Sequence, residues 1–345
     1  MKETSPNMKK LINLYGIYLP IFLLALPLTV ALRTVALFTD LTQYGHFGND
    51  ILITIAGWVV VAAVLFFVSY MWLGKKDIAL IPSFSSPANY IPAGLVAITL
   101  AMLGTHILII NSKIDFTVAS TYTKVISTAT PILALVSVVY FLLSSILIAR
   151  RSMQRSDFGI ITLLFICMYI AYIYFDTSLP INAPTRITDE IAFLGIAMFF
   201  LGETRLSLGR ESWRRYIAFA FIGATVTAYS AIPNLIYYFA RKETLSLSIY
   251  ESLLTLAFFI FIISKIFLTP MLTKDKNSSI VDKIIAAAAT RQEMLEPAKP
   301  EEIPTEDDEN AGETDENQIT ITYEESIAEE PAPIENDEEK EVTSE

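Results

Sequence analysis

The chain has 345 residues, of which 53% are hydrophobic and only 18% charged, which leaves too little charge to cover a soluble globular body. The formal net charge of −11 is unevenly placed: residues 1–270 hold 19 Lys/Arg against 13 Asp/Glu, and residues 271–345 hold 6 against 23. The acidity therefore belongs to the tail, and the chain lacks the basic patches of a nucleic-acid binder, so no nucleic-acid partner is expected.

A membrane span needs about 20 apolar residues to cross ~30 Å of hydrocarbon. After a short basic segment, 1–14, apolar runs recur near 15–38, 51–73, 91–110, 128–149, 158–175, 188–206, 215–240 and 247–269. They predict an all-α fold: a polytopic transmembrane helix bundle of about eight spans within residues 15–270, with both termini in the cytoplasm and a disordered C-terminal tail. The first run is too long for a signal-peptide core and is read as a retained span. It carries Pro20, Pro27 and, near its outer end, Arg33. The second run, Ile51 to Leu73, has no charge at all. The third carries His106 near its outer end. The fourth contains Pro131, and its helix could begin upstream in VASTYTKVISTAT. The fifth is short, holds the lone Cys167, read as a buried small hydrophobe, and closes at Asp176.

The sixth run carries the clearest functional argument. Twelve uncharged residues separate Glu190 from Glu203, and thirteen steps at ~1.5 Å give roughly 20 Å. Two carboxylates that close cannot both reach headgroups across ~30 Å of hydrocarbon. At least one needs a cation, a donor or a polar cleft. Arg186 is one turn before Glu190 on the same helix face and could pair with it locally.

The seventh run, FIGATVTAYSAIPNLIYYF, is the most polar. Gly223, Thr227, Ser230 and Asn234 share a face, beside Ala220, Ala224, Ala228 and Ala231. Small residues permit close helix approach. A second reading has Pro233-Asn234 break the helix and offer backbone carbonyls to a solute, as in discontinuous transporter helices. The eighth run has Glu251 one turn from its start and Lys265 in its inner half. Lys265 either pairs with Glu203 or, as the favoured expectation, snorkels to the cytoplasm.

Basic residues set the expected orientation. With the N-terminus inside, fourteen Lys/Arg fall on the cytoplasmic side and five outside. Trp72, Trp213, Tyr237 and Tyr238 are expected to anchor span ends at the interface. An ionisable group inside a span costs at least ~2.5–3.5 kcal/mol, so it marks a candidate site. In this orientation Arg33, His106, Asp176, Asp189, Glu190, Asn234 and Glu251 collect in the outer half. Arg33, His106, Glu190, Glu203, Asn234 and Glu251 are the candidate polar-cavity or ion-pair residues, with Arg33–Glu251 or Arg33–Glu190 as candidate pairs. Each could instead snorkel independently.

Beyond the bundle, residues 271–295 are expected to form a juxtamembrane amphipathic helix, with Ser279 as a cap and Val281, Ile284, Ile285, Ala288 and Leu295 at helical spacing. Residues 296–345 are rich in Glu, Asp, Pro and Thr and cannot bury enough apolar surface to offset ordering entropy. They are expected to be a disordered acidic tail, with ITITYEES (319–326) as its docking stretch.

The chain has no GxxxxGK[ST] loop, no GxSxG elbow, no HExxH and a single cysteine, and no cofactor or metal is expected. The sequence thus points to a non-enzymatic, multi-pass sensor or membrane-complex subunit. Its partners would be the lipid bilayer and a cytoplasmic protein recognised through 296–345. Its expected location is a bacterial plasma membrane. The alternatives are a small-solute permease using the outer polar groups, and an intramembrane enzyme with Glu190 or Glu203 as acid or base.

Overall fold

The computed structural model describes residues 11, 14–42, 46–48, 51–74, 87–113, 121–149, 159–176, 180–207, 213–245 and 248–272. The amphipathic helix expected over 271–295 and the tail 296–345 lie outside them, apart from the last two residues of the final helix. Eight helices are described: α1 Tyr18–Thr39, α2 Ile51–Leu73, α3 Pro87–Asn111, α4 Thr121–Ala149, α5 Gly159–Phe175, α6 Pro184–Ser207, α7 Trp213–Arg241 and α8 Ile249–Leu272. The α4 helix does start upstream of Pro131, in the stretch singled out from the sequence.

Six of the eight are long and apolar enough to cross a membrane: α1, α2, α3 from Tyr90, α4 to Ile146, α7, and α8 to Phe267. The other two differ for physical reasons. The α5 helix is apolar but only 17 residues long, and α6 carries Arg186, Asp189, Glu190, Glu203 and Arg205. The bundle's exterior is apolar, with Leu24, Trp58, Leu65 and Val139 all exposed, as a chain solvated by lipid requires.

Successive helices run antiparallel. One end gathers the start of α1 with the start of α7, where Tyr15 stacks on Trp213 at 6.5 Å, and the end of α2, where Arg214 donates to the Trp72 carbonyl at 2.8 Å. The opposite end gathers Phe38 of α1 and Tyr237 of α7 at 5.5 Å. They are called the Glu203 end and the Arg33 end below. The helices α3 to α8 each pack on the next, and α8 returns to α3, closing a ring of six; α1 and α2 pack on each other and on α7. The α7 helix is therefore central, 89% buried over its apolar window against 22% for α2. Its small residues permit this. A Cβ on Gly195 of α6 would stand 2.3 Å from a Val226 methyl and 3.4 Å from the Gly223 Cα, so α6 and α7 touch nearly backbone to backbone.

The helices run through their prolines. Pro27, Pro131 and Pro233 all lie inside unbroken helices, so the break that the second reading placed at Pro233-Asn234 does not occur. A proline lacks the N–H that would bond the carbonyl four residues back. At Pro131, Pro233 and Pro270, side chains from elsewhere in the bundle supply it. Asn111 of α3 donates to the Ser127 carbonyl freed by Pro131, at 2.6 Å, and Tyr15 donates to the Ile266 carbonyl freed by Pro270, at 2.6 Å. The carbonyl freed by Pro233 is taken by Arg33.

Two further expectations change. Cys167 is exposed on the periphery, not buried, because an apolar side chain in lipid gains little by facing inward. Trp213 is buried against Tyr15 and Tyr216 and belongs to the core, not to an interfacial belt.

Candidate functional site

The Arg33 end holds a buried polar cluster built from five helices. Arg33 of α1 is 1% exposed. Its guanidinium donates to the Tyr229 carbonyl, the one left free by Pro233, and to Asn234 Oδ1 at 2.9 Å, and it lies 5.0 Å from the Tyr229 ring centre. Asn234 in turn donates through Nδ2 to Asp189 Oδ1 at 3.2 Å, and Ser230 donates to the same oxygen at 2.5 Å. Asp189 and Arg33 thus attract across the Asn234 amide. The amide is oriented by having a cation on its oxygen and a carboxylate on its nitrogen. The α7 sequence makes this possible: Ser230 and Asn234 are one turn apart and face α6 together.

The cluster continues onto α5 and α8. The Tyr169 side chain faces Glu251, with Tyr172 and Asp189 also in its electrostatic surroundings. Tyr169 and Tyr172 stack at 5.9 Å. Glu251 sits at the start of α8, where Ser248 caps its N–H at 3.3 Å, and a carboxylate there is favoured by the helix dipole. His106 of α3 lies 4.8 Å, ring to ring, from the neighbouring Tyr250.

Arg186 has a separate role. Beyond its 3.3 Å pair with Glu190, it donates to the carbonyls of Ile173, Tyr174 and, at 2.8 Å, Asp176. These belong to the last turn of α5 and its exit, where helical carbonyls have no partner within the helix. A buried cation there caps the short α5 and complements its dipole.

Of the six candidate residues, Arg33 and Asn234 are in direct contact, and Glu251 lies near them against Tyr169, which also feels the Asp189 charge. His106 lies beside Glu251's sequence neighbour. Glu190 stands apart with Arg186. The two carboxylates put forward as partners of Arg33 are thus engaged elsewhere, and Asp189 faces it instead. Glu203 lies at the opposite end, where Lys265 pairs with it at 3.2 Å. Lys265 is buried and sits 5.1 Å from the Phe261 ring centre, so it turns into the bundle instead of reaching for the interface. Tyr216 lies against Glu203.

The two charged regions share a register. Asp189 and Glu203 on α6, and Glu251 and Lys265 on α8, are each fourteen residues apart, about four turns or 21 Å, and so on one face. Between them an aromatic layer fills the ring: Phe141 of α4 meets Phe200 at 5.8 Å, Phe258 at 6.2 Å and Phe261 at 5.7 Å. Sequence reasoning missed the tyrosines. Tyr169 and Tyr172, three apart in FICMYIAYIYF, share one helical face, and that spacing was the available signal.

Beside the cluster, a groove of about 400 Å³ opens sideways between α2 and α6, with Tyr229 of α7 among its lining residues. Its lining is otherwise apolar apart from the hydroxyls of Thr54 and Thr188. One ring, Tyr229, therefore touches both the groove and the Arg33 guanidinium. Comparison with family models, with characterised proteins and with solved structures finds no match.

Proposed function

We propose that this protein is a non-enzymatic membrane sensor or complex subunit that spans the bilayer eight times. The α5 and α6 helices complete the eight spans, both termini are cytoplasmic, the Arg33 end faces outward, and the membrane is a bacterial plasma membrane. The loop charge asymmetry supports this placement. The observation that carries the sensor reading is the Tyr229 contact. A lateral groove shares that one ring with a network of buried charges spanning α1, α5, α6, α7 and α8. Occupancy of the groove bears on Tyr229, and through its carbonyl and ring on Arg33, Asn234 and Asp189. Buried polar networks of this kind favour discrete arrangements over continuous deformation. The acidic segment 296–345 would carry the state to a cytoplasmic protein with a basic face.

The test is capture of cytoplasmic partners by the full chain, by a chain ending at residue 295, and by the Arg33→Gln variant. The sensor reading expects a partner that is lost on truncation and whose retention changes several-fold in Arg33→Gln. Equal capture by a chain with scrambled 296–345 would sink it.

A permease is the second reading, favoured by one specific arrangement. Glu251 and Tyr169 on one side, and Glu203, Lys265 and Tyr216 on the other, flank an aromatic layer inside a closed helix ring. Solute uptake into proteoliposomes, abolished by Glu203→Gln, would establish it over the first.

A further inference from the structure

The groove between α2 and α6 has a shape and chemistry that specify an occupant more closely than the sensor reading does. We propose that it is a binding site for one acyl chain of a membrane lipid from the leaflet at the Arg33 end.

Four observations converge. The first is polarity. The lining carries no formal charge, and the Thr188 hydroxyl is already bonded to the Pro184 carbonyl at 2.7 Å. That leaves the hydroxyls of Thr54 and Tyr229 in an otherwise apolar lining, which suits hydrocarbon better than water. The second is capacity. An apolar cavity of ~150 Å³ holds benzene, so about 400 Å³ gives room for an apolar group roughly two to three times that size. A single fatty chain is such a group. A transmembrane helix, ~10 Å across, could insert only side chains.

The third observation is depth. On α2 the lining runs from Ile53 to Val61, eight steps or about 12 Å. It begins two residues from the first residue of the helix. A single leaflet contributes about half of the ~30 Å hydrocarbon. The groove therefore starts near headgroup level and runs most of the way to the midplane, along the path of a lipid tail. The fourth is the open space over Gly57. A Cβ built there meets nothing within 4 Å, although Gly57 lines the groove and Tyr229, 8% exposed, forms its inner wall. The gap is thus a space that a side chain could have filled and does not.

The consequence of filling it follows from the Tyr229 contact. A chain pressing on the ring holds it against the Arg33 guanidinium, so the occupied groove and the closed network support each other. This last step rests on the sensor reading; the lipid site itself does not.

The experiment uses the full-length protein purified in mild detergent. Retained lipid is counted by native mass spectrometry. Thermal stabilisation is then measured with lysophosphatidylcholines of stepped chain length. One retained lipid per chain is expected. Stabilisation should rise with chain length until the tail fills the groove and then level off, with a gain per methylene below the roughly fourfold of transfer from water, because the free lysolipid tail already lies in micelle hydrocarbon. Gly57→Leu and Ile191→Phe fill the groove from opposite walls. Both should lose the retained lipid and the chain-length dependence while eluting at the wild-type size. Two variants guard against one of them failing to fold.

Retention of the same lipid by both groove-filled proteins would overturn the proposal, and so would stabilisation that ignores chain length. A wild-type dimer whose cross-links run through Trp58 and Ile191 would assign the groove to a second copy and overturn it as well. Loss of lipid in the variants with unchanged partner capture would leave the acyl-chain site standing and remove the sensor reading.

Discussion

The two ends of this bundle solve the same problem differently. Each buries charge inside an apolar bundle, where unpaired charge is costly. At the Glu203 end one carboxylate meets one ammonium at 3.2 Å, beside an aromatic ring. In the cluster around Arg33 the charges do not close a simple pair. Arg33 and Asp189 are held apart by the Asn234 amide, and hydroxyls, a backbone carbonyl and an aromatic face complete the set. A direct pair is a clamp, stable in one geometry. A relayed network has neutral members that can exchange partners. The Arg33 network also reaches a lateral groove, through Tyr229.

Arg33 carries the largest expected effect. Arg33→Ala removes the cation facing Asp189 and frees the Tyr229 carbonyl and Asn234 Oδ1 together. A loss of about 3–5 kcal/mol is expected in reversible unfolding from mixed micelles. Pro233→Ala sharpens the point. It restores an N–H to the Tyr229 carbonyl, so in that background the cost of Arg33→Ala should fall, and the two effects should be non-additive. Strict additivity would mean that the proline carbonyl is not what Arg33 serves.

At the opposite end, Glu203→Gln leaves Lys265 buried without its counter-charge. A loss of about 2–3 kcal/mol is expected. The double change Glu203→Met with Lys265→Met should recover most of it, since an apolar pair replaces a buried ion pair at little cost. A double variant no better than the single would show that the ends are not simple and relayed versions of one device.

Glycine substitutions give the smallest contrasts. Gly195→Ala drives a Cβ toward Val226 at 2.3 Å, and β-branched Val226 has few rotamers to yield with, so about 1–3 kcal/mol should be lost. Gly57→Ala meets open space and should stabilise the helix by roughly 0.5–1 kcal/mol. Thermal unfolding of the two variants side by side reads both signs; equal destabilisation would contradict the packing described for α6 against α7 and the open groove at Gly57.

Much of the helical layout was legible beforehand. Long apolar runs set the helices within a few residues, because in lipid the backbone must satisfy itself and a helix does so within one segment. That Arg33, Asn234, Glu251 and Glu203 would need partners was legible for the same reason: charge and polarity inside such runs are rarely tolerated without them. Partner identity was not. Arg33 faces Asn234 and Asp189, and nothing in a one-dimensional pattern ranks these above Glu190 or Glu251. Cys167 failed for a related reason, since hydrophobicity does not separate a lipid-facing position from a core one.

Prolines mark the boundary most clearly. From the sequence alone, Pro131, Pro233 and Pro270 each remove a hydrogen bond at a known carbonyl, four residues back. Covalent structure fixes that. Only the packed bundle decided what answers each loss: Asn111, Arg33 and Tyr15, brought from distant parts of the chain. Periodicity and composition are properties of one segment read along its own axis. A donor arriving from across the bundle depends on which helices become neighbours and on how they are rotated, and that is settled by side-chain packing among many segments at once.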